Sequence, residues 1–233
     1  MNADTDMPTS KIVAVLLGFP VVSTLISLLL LDRDAFAWTG LDFFTAFWLL
    51  ITFWYLAQIA ILAKILRSSG WSWGDIGYSL NRRKTTYFVA GYLVFAFALL
   101  GFVEFALANT STDPEKVKAL SDLANLTPQN LPQRIVFIFM GLAAGLCEEF
   151  VYRGFAIRSL KSRGINHWFA AFIAAFPFVF QHGLKSLDQF WWFFIWALVF
   201  GAIFIIAKRL YINIIIHWLV ILSAVLAILQ TLK

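Results

Sequence analysis

Between residues 135 and 157 the chain is apolar apart from three charged side chains, Glu148, Glu149 and Arg153. A charge at the centre of a bilayer costs about 2.5–3.5 kcal/mol on insertion scales, so each needs a partner or a task. At about 100° per residue, Glu149 and Arg153 fall on one side of a helix, one turn apart. They can pair, in the favourable acid-before-base order. Glu148 points about 100° away and has no cation on its own face. One carboxylate is thus held by the arginine and the other is free for proton chemistry. Two histidines occupy comparable surroundings: His182 ends the run Phe178-Val179-Phe180-Gln181-His182, and His217 follows three isoleucines. A glutamate can take a proton from water while a histidine orients that water or stabilises an oxyanion. Two histidines and a glutamate can also hold a catalytic zinc ion, so zinc at Glu148, His182 and His217 is the alternative to the expected absence of any cofactor. The helical zinc motif H-E-x-x-H is missing, which counts against the metal.

Other polar positions suit quieter roles. His167, beside Trp168, has an interfacial setting, and Glu104 lies close enough to a helix end to reach the headgroups. Cys147 is the single cysteine, which excludes an internal disulfide and a cysteine metal site. It is expected to be a small apolar filler, not a nucleophile. The sequence has no G-x-S-x-G elbow, no phosphate-cradling glycine loop and no nucleic-acid signature.

The elements that must position these groups are membrane helices. The 233 residues are 61% hydrophobic and 13% charged, with 25 Phe and 10 Trp, and the mean hydropathy is +0.80. Soluble domains carry about twice that share of charge. Apolar runs at about 12–31, 41–66, 86–108, 134–160, 166–182, 189–207 and 210–229 are near the length needed to cross about 30 Å of hydrocarbon. The expected fold is all-α, a polytopic membrane helical bundle of about seven transmembrane helices. Strand-like alternation of apolar and polar residues is absent, which argues against a β-barrel. Residues 1–10 are expected to be disordered, residues 11–233 to form a single membrane domain, and 116–125 to form a short surface helix. Pro177 is expected to kink the fifth segment.

Seven crossings put the termini on opposite sides. Of the eighteen Lys and Arg residues, eleven fall on the side of the N-terminus, six on the other, and Arg153 within the membrane. This favours a cytoplasmic N-terminus. The net charge of +5 then reflects membrane anchoring, not nucleic-acid binding. The short loops suit an integral multi-pass protein of a bacterial plasma membrane. One geometric difficulty follows. Glu148 lies about 14 residues, roughly 21 Å, from the outer end of its helix, whereas His182 falls near the outer end of the next. Tilt and the Pro177 kink are expected to close part of that gap.

Taken in order, Glu148-Glu149-x-x-x-Arg153-Gly154, Phe178-x-x-x-His182 and His217 resemble the CPBP family, the CAAX proteases and bacteriocin-processing enzymes also called the ABI family. The resemblance covers about residues 134–225. It implies an intramembrane glutamic protease, a helical peptidase in which Glu148 is the general base. Glu149 and Arg153 would support it, and His182 and His217 would bind the water or stabilise the tetrahedral intermediate. It implies a metal-independent mechanism. Phe178 and Asn213 are the substrate-binding candidates. The sequence departs from the family where an Asn usually stands four residues after the last histidine, because that position is Ile221. Loss of one oxyanion donor costs about 10²–10³ in rate. Asn213, one turn before His217, is a substitute amide on the other side.

Three functions are therefore weighed. The first is an endopeptidase cutting a peptide or protein substrate near the membrane surface, including a lipid-modified one. The second is a catalytically impaired relative acting as a scaffold, immunity or regulatory protein. The third is a transporter with Glu148 as its proton site, although repeated halves with broken helices are lacking. The partners expected are the substrate and membrane lipid, with no nucleic acid. Substrate identity and oligomeric state are not written in the residues.

Overall fold

The computed structural model describes residues 6–32, 34–109 and 128–231. Seven apolar helical segments follow one another: α1 (Thr9–Ser27, continued by a 3₁₀ turn Leu28–Leu31), α2 (Phe43–Ser68), α3 (Arg82–Ala108), α4 (Leu131–Ser162), α5 (His167–Phe180), α6 (Phe190–Ala207) and α7 (Leu210–Thr231). No strand occurs among the described residues. The chain is an all-α polytopic bundle. Five helices among the described residues, α1 to α4 and α6, are long and apolar enough to cross a membrane, against the expected seven. Helix α5, of 14 residues, is only about 21 Å long. The described apolar part of α7, Leu210–Ile221, is also short. Of the stretch 1–10, residues 6–10 are described: Met7 is fully buried and helix α1 begins at Thr9. The surface helix expected over 116–125 lies outside the described residues.

The helix starts are set locally. Asp42 caps α2 by accepting from the Thr45 N–H at 3.0 Å and ties the cap to α4 through Gln133 Nε2 at 2.9 Å. Asn130 caps α4 and Asn166 caps α5, each accepting from a backbone N–H of the first turn. At the opposite end, Lys11 Nζ donates to the hydroxyls of Ser68 and Ser69, both at 2.8 Å, and the Met7 N–H donates to Ser162 Oγ. These contacts gather the N-terminus, the end of α2 and the end of α4 on one side.

Helix α4 is the hub, packing against all six other helices. It is also irregular. Leu131–Glu148 and Ala156–Ser162 are α-helical, while Glu149–Phe155 between them winds as a π-helix whose seven residues are all buried. A π turn inside an α-helix is rare and often marks a functional position. Here it starts one residue after Glu148. Helix α7 approaches closely at Gly145, where a Cβ would lie 3.1 Å from Trp218 Nε1 and 3.4 Å from His217 Cδ2. The missing side chain lets His217 reach α4. After α5 the chain turns through Gly183, at φ +62°, against Ser27. A side chain there would strike Ser27.

Candidate active site

The two adjacent glutamates are both buried, Glu148 at 2% and Glu149 at 0% exposure, and their partners differ in kind. Glu149 is enclosed by donors. Its Oε1 accepts the Nδ1–H of His217 at 3.0 Å and lies 3.5 Å from Arg153 Nη1. Its Oε2 accepts Asn213 Nδ2–H at 3.1 Å. Arg153, 1% exposed, stacks its guanidinium on Phe178, with Cζ 4.0 Å from the ring centroid, and faces Phe200 at 5.3 Å. The i, i+4 pair expected from the sequence is thus present, although its turn is a π turn.

Glu148 faces open space. Its Oε1 accepts the hydroxyl of Tyr55 in α2 at 2.8 Å and lies 3.8 Å from His182 Nε2. Its Oε2 lies 3.8 Å from His217 Nε2. These three side chains line a cavity of about 360 Å³ together with Gln181, Ile221 and residues of α1, α2 and α6. Its walls come from the end of α1 (Ser23, Ser27, Leu30) and the first halves of α2 and α4. The cavity therefore occupies the half of the bundle away from the N-terminus. Lys185, in the single turn Lys185–Asp188 on the rim, holds its ammonium 5.6 Å from the Trp48 ring. Burial pushes this lysine below its usual range.

Each imidazole is oriented from behind. The Nδ1–H of His182 donates to the Phe178 carbonyl at 3.0 Å, and its ring stacks on Phe193 with centroids 3.8 Å apart. His217 Nδ1–H is held by Glu149. A carbonyl and a carboxylate only accept, so both rings carry their proton on Nδ1 when neutral. Both then present a bare Nε2 to the cavity beside Glu148.

The sequence-predicted residues separate into two groups. Glu148, His182 and His217 line the cavity. Glu149, Arg153, Phe178 and Asn213 do not line it and form the support behind it. Phe178 carries Arg153 on its face and meets the edge of His182, with centroids 4.9 Å apart. Asn213, expected as a substrate-side amide, has its Nδ2 group on Glu149 and on the Phe200 carbonyl at 2.8 Å. Ile221 does line the cavity. Cys147 is fully buried, with its thiol 3.5 Å from Gln58 Oε1. Glu104 forms a two-bond ion pair with Arg134 between α3 and α4, and His167 starts α5 beside Trp168. Sequence reasoning missed Tyr55 and Gln181. The signal for the first is in α2, where Tyr55 and Gln58 interrupt an apolar run one helical turn apart.

Among the described residues no group of three or more His, Cys, Asp or Glu side chains is arranged to hold a metal ion. Glu148 Oε1 already accepts from Tyr55.

A buried carboxylate thus lies between two imidazoles on the wall of a cavity inside a helical bundle. Residues 130–223 match the family model described as type II CAAX prenyl endopeptidase Rce1-like, so this part of the chain is similar to the domain of that family. It takes in α4 to α7 as far as the described cavity wall, and with it Glu148, His182 and His217. No curated protein and no solved structure matched the chain.

Proposed function

We propose that the protein is an integral membrane endopeptidase in which Glu148 activates water for attack on a peptide bond. The observation that carries this reading is the pair of 3.8 Å separations from the Glu148 oxygens to two imidazole nitrogens. These lie beyond direct hydrogen bonding, and a water seated beside them reaches a carboxylate oxygen and a ring nitrogen with legs of about 2.8 Å. Glu148 takes the water proton as hydroxide adds to the carbonyl carbon, and later delivers it to the leaving amine. Of the water's two hydrogens one goes to Glu148 and the other to the bare Nε2 of His182 or His217, which turns an oxygen lone pair toward the substrate. Glu149 holds His217 in that tautomer, as a buried carboxylate does in hydrolase triads, and Arg153 neutralises Glu149. Both are positioning residues. The mechanism is glutamate-dependent and needs no metal. The substrate is a peptide or protein segment, with a prenylated tail as the form the family description suggests. The basic end faces the cytoplasm of a bacterial plasma membrane, which turns the cavity outward.

Ile221 on the cavity wall favours a second reading, a catalytically impaired scaffold, immunity or regulatory protein. Cleavage separates the two. Purified protein in lipid nanodiscs is given a quenched farnesylated CAAX peptide and an unmodified peptide pool analysed by mass spectrometry. Cleavage that disappears in Glu148→Gln supports the peptidase. No difference between wild type and Glu148→Gln on either probe would leave the scaffold. Zinc at one equivalent per chain, with activity lost on chelation and restored by zinc, would replace the metal-free mechanism.

A further inference from the structure

Apart from the two histidines, the cavity is lined by one acid and one base, Glu148 and Lys185. The proposed reaction uses the acid and leaves the base without a task. Lys185 opens the single turn Lys185–Asp188 and is half-buried. Its ammonium stands 5.6 Å from the ring centroid of Trp48, another residue of the wall. No nearby acid offsets the burial that pushes this lysine below its usual range. A lysine near a membrane surface ordinarily extends its ammonium outward to water and headgroups. Asp188, on the same turn, is exposed in that way, whereas Lys185 turns inward. Unlike Trp48 Nε1 and Gln181 Nε2, its polar atom is not sealed from open space.

A second donor stands beside it. The Gln189 N–H donates to the Lys185 carbonyl at 3.1 Å, and the exposed Gln189 side chain also lines the cavity. The wall is otherwise mostly apolar. An uncommitted cation in such surroundings is costly until a partner arrives. On a peptide, the group that complements an ammonium and an amide is a carboxylate. Depth sets where it must be. Trp48 lies seven residues before Tyr55 on α2, about 10 Å along the axis from the level at which Tyr55 meets Glu148. An extended chain rises about 3.3 Å per residue, so a peptide with its scissile bond at Glu148 reaches the ammonium about three residues away.

We infer that Lys185, assisted by Gln189, is a specificity residue that binds a substrate carboxylate about three residues from the bond that is cut. The carboxylate belongs either to the end of the peptide chain or to an Asp or Glu side chain. Lys185 takes no part in the bond changes at Glu148.

The inference rests on the peptidase reading, and the experiment keeps the two apart. An equimolar pool of unmodified decapeptides is made twice, once with a C-terminal carboxylate and once with a C-terminal amide. Each is given to full-length protein in phosphatidylcholine nanodiscs, and the products are sequenced by mass spectrometry. Wild type is expected to favour cuts with a carboxylate about two to four residues away. Preference that vanishes in the amide pool identifies the chain end as its source, and preference that follows Asp or Glu in both pools identifies the side chain. A preferred peptide is then remade with that carboxylate as its amide. Lys185→Met is expected to raise KM for the acidic peptide about 10–100-fold, with kcat within about threefold, and to leave KM for the amide peptide within about threefold. Lys185→Glu is expected to turn the preference toward Lys or Arg at the same position. If Lys185 serves only to pack on Trp48 or to touch lipid headgroups, Lys185→Met affects both peptides alike. That result overturns the inference and leaves the peptidase reading standing. Absence of a carboxylate preference in wild type does the same, and it needs no variant, so it decides the matter if Lys185→Met fails to fold. Failure of wild type to outperform Glu148→Gln on every probe removes both.

Discussion

On the peptidase reading, replacing each of the two adjacent glutamates by glutamine should silence cleavage in both cases but destabilise the protein in only one. Arg153 is 1% exposed and its terminal nitrogens have no hydrogen-bond partner. Its one ion-pair partner among the described residues is Glu149, at 3.5 Å. Glu149→Gln strands that guanidinium and also weakens the acceptor for His217 and Asn213. Removing one member of a buried pair costs about 3–5 kcal/mol, which at about 2–4 °C per kcal/mol lowers the melting midpoint by about 6–20 °C. Glu148→Gln behaves differently. The glutamine oxygen still accepts from Tyr55, no ion pair with Lys or Arg is broken, and a buried charge is removed, so the net change stays within about 1 kcal/mol. Catalysis nevertheless falls by about 10²–10⁴ with the general base gone. The chain carries its own reporter. Cys147 is the sole cysteine and is fully buried beside Glu148, so labelling by a thiol-reactive dye on heating follows unfolding of the hub helix. Equal midpoints for the two variants, or a larger drop for Glu148→Gln, would refute the division of labour between the carboxylates.

Tyr55→Phe removes the one direct hydrogen bond that the Glu148 carboxylate makes among the described residues. It should lower kcat by about 10–100-fold, the worth of about 1.5–3 kcal/mol for a bond to a charged acceptor, with little effect on the Cys147 midpoint. Gly145→Ala adds a methyl 3.1 Å from Trp218 and 3.4 Å from His217. It should move His217 away from Glu148 and reduce kcat at least tenfold, even though alanine favours a helix by about 1 kcal/mol. Wild-type turnover in this variant would show that the approach of α7 is not critical. Glu104→Gln breaks the Arg134 pair, whose acid is 36% exposed. It should shift stability by less than about 1 kcal/mol and leave kcat unchanged.

The sequence shows most of this site because charges are rare in apolar segments. Glu148, Glu149 and Arg153 stand out against their neighbours, and their i, i+4 spacing predicts the observed pair. The structure places His182 in the turn just after α5 and His217 within α7, both beside Glu148 of α4. The second sphere is less legible. Tyr55 lies 93 residues from the carboxylate it touches, ahead of the family-like part of the chain, and its one local signal is the polar Gln58 a helical turn later. Gln181 is hidden inside the Phe178-to-His182 motif at a position the motif leaves open. The π turn packs against α2, α5, α6 and α7, and no local pattern in the sequence announces it. Asn213 has the right helix face but the wrong depth, because its amide meets Glu149 before it can reach the cavity.

Depth is where helix length becomes function. The difficulty posed by the sequence, an acid at mid-membrane and a histidine at a surface, assumes that α5 crosses completely. At 14 residues α5 ends about 21 Å from its start, while the 32-residue α4 beside it continues. Gly183 then turns the chain against Ser27, and the Leu184 N–H donates to Ser27 Oγ at 3.0 Å. His182 is held at the level of Glu148 by this early stop. The space that α5 leaves unfilled, roofed by the single turn Lys185–Asp188, is the cavity itself. A longer α5 would carry the imidazole past the carboxylate and fill the place a peptide must enter. The short helix therefore creates both the contact between His182 and Glu148 and the open space beside it.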